Sequence, residues 1–339
     1  MLPSKLLPIL TPFAAGSLLK TLSATFSPRN PKVTEEEFNN FKFWVQYAAA
    51  AYCNYDKQPG DLVTCGNDEC DDVQANNATI VSSVVGIYTD VSGFVALDPE
   101  REAVVVAIRG TKSFLNTLTD LRLFPANCSA PYPVGCKAHA GFLSAWTEIE
   151  SAVLSAVSTV LDDYPHYAII ATGHSLGGAI ATLAAASARA ANGSADLYTY
   201  GSPRVGNTAF VEYVESLPGG NYRLTHSADP VPLLPPSVLG YRHLSPEYWL
   251  VGDSTLAGFG VRNVTVCEGL LNFECNGGTL WSTISPIEHS YYFQKVSGCE
   301  DDSWDISWLE DKLPDGLSFD TIEDVIKADR EQAGKGVDG

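Results

Sequence analysis

Basic residues are scarce in this chain: 21 Lys and Arg stand against 40 Asp and Glu, a formal net charge of -19. A surface that tracks phosphates needs clustered cations, so the balance argues against a nucleic-acid partner. It argues equally against electrostatic docking on an anionic membrane. A long uninterrupted apolar run is also missing. The stretch Leu6 to Leu19 is broken by Pro8 and Pro12, whereas a spanning helix needs about 20 consecutive apolar residues, so no transmembrane segment is expected. With Lys5 ahead of it, the stretch reads as a secretory signal peptide removed between Gly16 and Ala24. Around the close pair Cys65 and Cys70 there is neither a histidine nor a second close cysteine pair. A short disulfide clip is therefore preferred there to a zinc site, and no metal or cofactor is expected.

What the chain does hold is apolar material: 339 residues at 45% apolar can bury one large core. Eight cysteines, an even number at paired short spacings, suit an oxidising compartment. Sequons at Asn77, Asn192 and Asn263 agree with secretion, and Asn127 opens a further one with cysteine in the middle.

The chemistry is concentrated in Gly173-His-Ser-Leu-Gly177. An apolar run, Tyr167 to Ala171, leads into it, and a small-residue helical segment, Leu176 to Ala191, follows. This is the pattern of a nucleophile elbow, in which strand reverses into helix within a few residues and the serine is left in a strained conformation. Glycines two positions to either side let strand and helix approach closely. Ser175 is thus the candidate nucleophile. Leu176 offers its backbone N–H at the helix start, where donors are unpaired and the dipole favours an oxyanion. A chance match in a loop is the alternative, and the flanking strand and helix patterns weigh against it.

Around this centre, Thr34-Glu-Glu-Glu37 forms a capping box. Phe38, Phe41, Val45, Ala48 and Tyr52 give the helix it opens one apolar face. Tyr88 to Leu97 and Ala103 to Ile108 read as adjacent strands, the second apolar on both faces and hence central. The turn after it, Arg109-Gly-Thr-Lys-Ser113, stands where the second oxyanion donor of such a hydrolase is expected, which nominates the Thr111 N–H; a plain strand-end turn is the alternative. Phe114, Leu115 and Leu118 follow, with Phe114 and Leu118 on one face of a short helix. They fit either a half-buried surface helix or a lid that turns its apolar face toward lipid. A long amphipathic helix from Gly141 to Leu161, the elbow, a strand from Asp196 to Tyr200, a helix holding Val211 and Val214, and a strand from Tyr222 to His226 then alternate. The expected fold is α/β-hydrolase-like, a mostly parallel sheet flanked by helices.

An alkoxide-forming serine needs a base within reach and a carboxylate that fixes the tautomer of that base, and here the chain order is Ser, acid, His. Among Asp196, Asp229 and Asp253, only Asp229 lies just past a strand end and before a proline, on the catalytic edge of a parallel sheet. Asp196 opens its strand and should lie at the opposite edge. Among His226, His243 and His289, the first sits in a strand run three residues from Asp229. The second reads as a strand residue with a hydrogen-bonded imidazole. His289, in a late loop, is able to swing over the elbow. His174 is expected to point away from the site by strand alternation.

These stretches resemble the secreted fungal class 3 lipases, whose relatives include mono- and diacylglycerol lipases and feruloyl esterases. The likeness runs from Phe41-Lys-Phe-Trp-Val-Gln-Tyr through Arg109-Gly-Thr, Gly173-His-Ser-Leu-Gly-Gly, Ser202-Pro-Arg-Val-Gly-Asn207, Asp229-Pro-Val-Pro and Ser245-Pro-Glu-Tyr-Trp249 to Glu288-His-Ser-Tyr-Tyr-Phe293. It implies a Ser175, Asp229, His289 triad, an oxyanion hole from Thr111 and Leu176, and a lid over residues 113–120. It also implies the disulfides Cys53–Cys299, Cys65–Cys70, Cys128–Cys136 and Cys267–Cys275. The domain layout implied is a signal and lead over 1–24, a catalytic domain over 25–299 and an acidic extension over 300–339. Two departures stand out. Thr117 holds a lid position where many of the family carry tryptophan, which puts interfacial activation in question. The extension beyond Cys299 carries 13 acidic and 4 basic residues, a local net charge of -9, yet Trp304, Trp308, Leu309 and Leu313 suit packing on the domain. The implied activity is that of a secreted, monomeric triacylglycerol lipase working on glycerides at a lipid–water interface. Hydrolysis of mono- and diacylglycerols, or of feruloyl and other soluble esters, is the alternative. A non-catalytic secreted binding protein on the same fold is the rival of another class.

Overall fold

The apolar run Ala103–Ile108 marks the middle of the molecule. In the computed structural model, which describes residues 33–66, 68–110, 125–252, 258–279 and 286–296, every residue of this run is buried. Val104, Val106 and Ile108 enter one apolar cluster, while Ala103, Val105 and Ala107 enter another. That is the two-residue period of a strand covered on both faces.

In chain order the described elements begin with helices α1 (Glu35–Asn54) and α2 (Asp71–Ala75) and strands β1 (Thr79–Val85), β2 (Ser92–Asp98), β3 (Ala103–Ile108), β4 (Pro125–Asn127) and β5 (Lys137–His139). Then come α3 (Ala140–Asp163), β6 (Ala168–His174), α4 (Leu176–Asn192), β7 (Asp196–Tyr200), α5 (Thr208–Ser216), β8 (Asn221–His226), β9 (Glu247–Leu250) and β10 (Val264–Cys267). Helix α6 (Pro286–His289) and the small hairpin β11 (Tyr291–Tyr292) and β12 (Gln294–Lys295) close the series. One sheet carries the order β1-β2-β3-β6-β7-β8-β9-β10. Strands β3, β6, β7, β8 and β9 run parallel, and the pairings at both edges are antiparallel. This is the α/β-hydrolase fold that the alternation of strand and helix leads one to expect.

Helix α1 covers one face with Phe41, Trp44, Tyr47 and its alanine run. Helices α3 and α4 cover the other with Phe142, Trp146, Ile180 and Leu183. The start of α1 is closed by the capping box: Glu37 N–H donates to Thr34 Oγ1 at 3.1 Å, and Thr34 N–H donates to the Glu37 carboxylate at 2.8 Å. Such a cap stabilises a helix by about 1 kcal/mol.

The structure differs from the sequence reading in several places. The strand expected from Tyr88 begins only at Ser92, because residues 86–91 turn, with Gly86 N–H donating to Val91 O at 2.7 Å. Strand β1 went unseen because Ser82 and Ser83 interrupt its apolar alternation, and its register with β2 shifts between Ile80 and Ser82. His243 lies outside any strand, with Nε2 donating to Pro232 O at 2.7 Å.

Disulfides join Cys65 to Cys70, Cys128 to Cys136 and Cys267 to Cys275. Cys299, the expected partner of Cys53, lies outside the described residues, as do segments 1–24 and 300–339 and Asp253. Asn77 and Asn192 are exposed, and Asn263 is half-buried, its side chain bonded to Val251 O at 3.1 Å. Among the described residues no helix is long and apolar enough to cross a membrane.

Candidate active site

Strand β6 ends at His174 and α4 begins at Leu176, so the whole reversal falls on Ser175, at φ 58° and ψ -130°. A residue with a side chain in that region costs about 1–3 kcal/mol and persists only where its surroundings enforce it. The enforcement is visible. A Cβ on Gly173 would run into the Gly177 carbonyl, and one on Gly177 would run into the Ile108 carbonyl. Strand, elbow and helix are thus in backbone contact with the end of β3. The Ser175 side chain is buried, and its Oγ has no hydrogen-bond partner among the described residues. Leu176 occupies the first turn of α4, where backbone donors lack intrahelical acceptors.

The serine is tied by its own N–H to Tyr200 O at 2.9 Å, at the end of the neighbouring β7. The next residue, Gly201, has φ +60°, and a Cβ there would lie 2.8 Å from Asp229 Oδ2 and 2.9 Å from His289 Nδ1. One step of chain therefore links the elbow to a carboxylate and an imidazole contributed by two later segments. Asp229 follows the end of β8, in a turn closed by its N–H to His226 O at 2.9 Å. Its carboxylate is fully buried and meets His289 Nδ1 at 2.9 and 3.0 Å. It also receives the Tyr292 hydroxyl at 2.5 Å and the Val231 N–H at 2.9 Å. Asn276 Nδ2 holds the backbone of the same turn, donating to Asp229 O at 3.0 Å and Ser227 O at 3.2 Å.

Carboxylate oxygens only accept, so His289 carries its proton on Nδ1, and the basic lone pair of the neutral ring is on Nε2. Tyr292 is fully buried beside a carboxylate; burial first, and then the Asp229 charge, hold its hydroxyl well above the ordinary phenol range. It remains a donor at every working pH.

His174 does not point away from this group, contrary to the strand-alternation expectation. Its ring centroid lies 4.5 Å from that of His289, and its Nε2 meets His289 O at 2.7 Å. Its Nδ1 meets the Tyr52 hydroxyl at 2.9 Å. A carbonyl needs a donor, so the proton is on Nε2 and Nδ1 accepts from Tyr52. Burial, and then the neighbouring His289, depress the His174 pKa well below the usual histidine value, which keeps the ring neutral. Alternation correctly sends His174 to the α1 face, where Tyr52 and Tyr292 also lie. What it could not reveal is that the segment around His289 reaches that face too.

The remaining candidates separate cleanly. Asp196 opens β7 and accepts from Gly220 N–H at 2.7 Å, away from the strand ends that carry Ser175 and Asp229. His243 is occupied at Pro232. Thr111, Phe114, Leu115 and Leu118 lie outside the described residues; Gly110, the last described residue before them, packs against the Tyr52 hydroxyl and His174 O. Tyr292, Asn276, His174 and Tyr52 were not singled out as site residues in the sequence. The one available signal was the aromatic run immediately after His289.

Residues 105–239 match the class 3 lipase family, and residues 17–81 match its N-terminal region. A secreted mono- and diacylglycerol lipase 1 of Fusarium solani is 42% identical over 290 residues, covering 85% of this chain and 86% of the relative. The chain belongs to the class 3 lipase family. Further members include secreted mono- and diacylglycerol lipase A of Penicillium cyclopium, 38% identical over 84% of this chain and 92% of that one. The crystal structure of a mono- and diacylglycerol lipase from Aspergillus oryzae superimposes with a TM-score of 0.73 at 39% identity, covering 79% of this lipase and 100% of its counterpart. The regions matched to the family contain the elbow and Asp229 of this lipase, while His289 lies beyond them.

Proposed function

We propose that this lipase is a secreted enzyme that hydrolyses glyceride esters through a Ser175, His289, Asp229 acyl-enzyme cycle. The observation that carries the assignment is the buried Asp229–His289 pair at 2.9 Å, packed against Gly201, the residue next to the Tyr200 carbonyl that anchors Ser175. His289 Nε2 takes the Ser175 proton as Oγ attacks the ester carbonyl. Asp229 stabilises the imidazolium that forms, and Tyr292 and the Val231 N–H keep that carboxylate in place. The Leu176 N–H, with Thr111 as its partner, receives the oxyanion; such a donor is worth about 10²–10³ in rate. His289 then protonates the leaving alcohol, and water repeats the sequence to release the fatty acid. The disulfides and the names of the Fusarium and Penicillium relatives support secretion.

The sequence pointed first to triacylglycerols. Two relatives that share 42% and 38% of their residues with this lipase are named for mono- and diacylglycerols, and that favours partial glycerides as its substrates. The chemistry is identical; only accommodation of a third acyl chain separates them. Initial rates on mono-, di- and triacylglycerol emulsions of one fatty acid, with methyl ferulate in parallel, decide it. Partial glycerides should be turned over fastest, and Ser175→Ala should abolish every rate. A dominant triacylglycerol rate would restore the first assignment, and turnover surviving in Ser175→Ala would remove the serine from the mechanism.

A further inference from the structure

The catalytic cycle gives no role to His226, a buried histidine beside the proposed acid and base. His226 ends β8, three residues before Asp229, and its side chain is 1% exposed. Its Nδ1 faces Glu288 O at 3.0 Å. Its Nε2 faces Gly252 O at 3.2 Å and Glu288 Oε2 at 2.8 Å. All three partners only accept. A neutral ring, in either tautomer, would aim a lone pair at a carbonyl or a carboxylate inside the protein, so only the doubly protonated ring satisfies its surroundings. Two of the three acceptors belong to Glu288, the residue immediately before the proposed base.

The consequence is mechanical. Glu288 O is gripped by His226 at the end of β8, and the next carbonyl, His289 O, is gripped by His174 at the end of β6. The peptide unit from which the His289 ring hangs is therefore held at two successive points by two imidazoles. His174 makes its grip as a neutral ring, because burial and His289 depress its pKa, whereas both nitrogens of His226 face acceptors. The His226 turn is itself pinned, by Ser227 Oγ to Gly252 O at 3.2 Å and by Trp249 Nε1 to Ser227 O at 2.9 Å. The clamp therefore pulls on the 288–289 segment and not the reverse.

We propose that His226 is a positioning residue for His289, a charged clamp on Glu288 that holds the base in register with Ser175 and lets go when it loses its proton. Among the described residues, the titratable groups facing it are Glu288 from α6, Tyr292 at 5.9 Å between ring centroids, and Asp229 in its own turn. The end of β9 offers the Gly252 carbonyl, and Phe259 packs edge-on at 5.2 Å without charge. Burial works against the charged ring, but the hydrogen bond and charge of Glu288 outweigh it and raise the His226 pKa above the ordinary histidine value. The clamp accordingly closes below that raised pKa and opens above it, which makes it one source of the alkaline limb of turnover.

The inference rests on His289 being the base, and the two can be tested apart. Glu288→Gln keeps the shape and removes the charge. On a soluble short-chain ester its kcat at pH 6 should stay within a few-fold of the parent, while the alkaline limb of kcat moves down by about 1–3 pH units, the usual effect of losing an opposite charge at this range. Nitrogen-resolved imidazole NMR of the parent at pH 7 should show His226 protonated at both nitrogens. An unmoved alkaline limb in Glu288→Gln, or a neutral His226 at pH 7, overturns the clamp. His289→Ala provides the separate control. If it is inactive while Glu288→Gln keeps the parent profile, the clamp alone fails; if it retains turnover, the base assignment fails and takes the clamp with it.

Discussion

Two histidine–carboxylate pairs straddle the same short segment, and they are built to opposite specifications. In His289–Asp229 the carboxylate is fully buried, anchored by Tyr292 and a backbone N–H, and bonded to one nitrogen of the ring. In His226–Glu288 the carboxylate side chain is 24% exposed, and both ring nitrogens face acceptors. The first pair has the form of a group that exchanges a proton; the second has the form of a group that keeps one. Residue types alone do not distinguish them, since each is a histidine beside an acid. The surroundings of His226 do, since acceptors face both of its nitrogens.

The sharpest way to break this contrast is Asp229→Asn, which presents a donor as readily as an acceptor to His289 and so lets the ring adopt the wrong tautomer. A loss of about 10⁴-fold in kcat on a soluble ester is expected, by analogy with triads in general; a loss under tenfold would mean the carboxylate does not orient the base. Tyr292→Phe comes next. It removes one hydrogen bond to a buried carboxylate, worth about 1.5–3 kcal/mol, and should lower kcat roughly 10- to 100-fold with KM little changed. Steady-state kinetics at the pH optimum check it.

Stability against pH sharpens the comparison from another side. His226 has a raised pKa in the fold, so its contribution is complete below the unfolded histidine value and lost as pH rises through the raised one. His174 and His243 have depressed pKa values, with burial the main cause, so their contribution is complete above the unfolded value and lost as pH falls. Melting temperature should therefore decline on both sides of neutrality, and Glu288→Gln should remove the part of the alkaline decline that His226 carries. Tyr52→Phe is the mildest test. It removes the donor to His174 Nδ1, and a loss of about 1 kcal/mol is expected, read as a small fall in melting temperature with a few-fold effect on kcat.

How far the sequence could carry these conclusions depends on how local each cause is. The elbow was legible because its strain is resolved within five residues, Gly173 to Gly177. The α1 face and the buried β3 were legible because periodicity is a property of one segment. Asp229 stood out through its place just past a strand end, and His289 through elimination. Tyr292 and Asn276 reach Asp229 from 63 and 47 residues away, and such distances leave no trace in any window of the chain. His174 illustrates the boundary. Alternation gave its face correctly and its neighbours wrongly, because which residues arrive on a face is settled by the crossovers and not by the strand.

His289, the proposed base, is attached late in the chain, beyond the last strand of the main sheet. The eight-stranded sheet is complete at Cys267, while the imidazole of His289 and the Tyr292 hydroxyl that anchors Asp229 arrive on residues 286–296. A polypeptide ending between those points would keep every strand of the main sheet and, with His289 as the proposed base, is expected to be inert toward ester bonds. With that assignment, turnover during synthesis is expected only once residues 286–296 have been made and docked, a step that also adds Tyr292 and Val296 to the core.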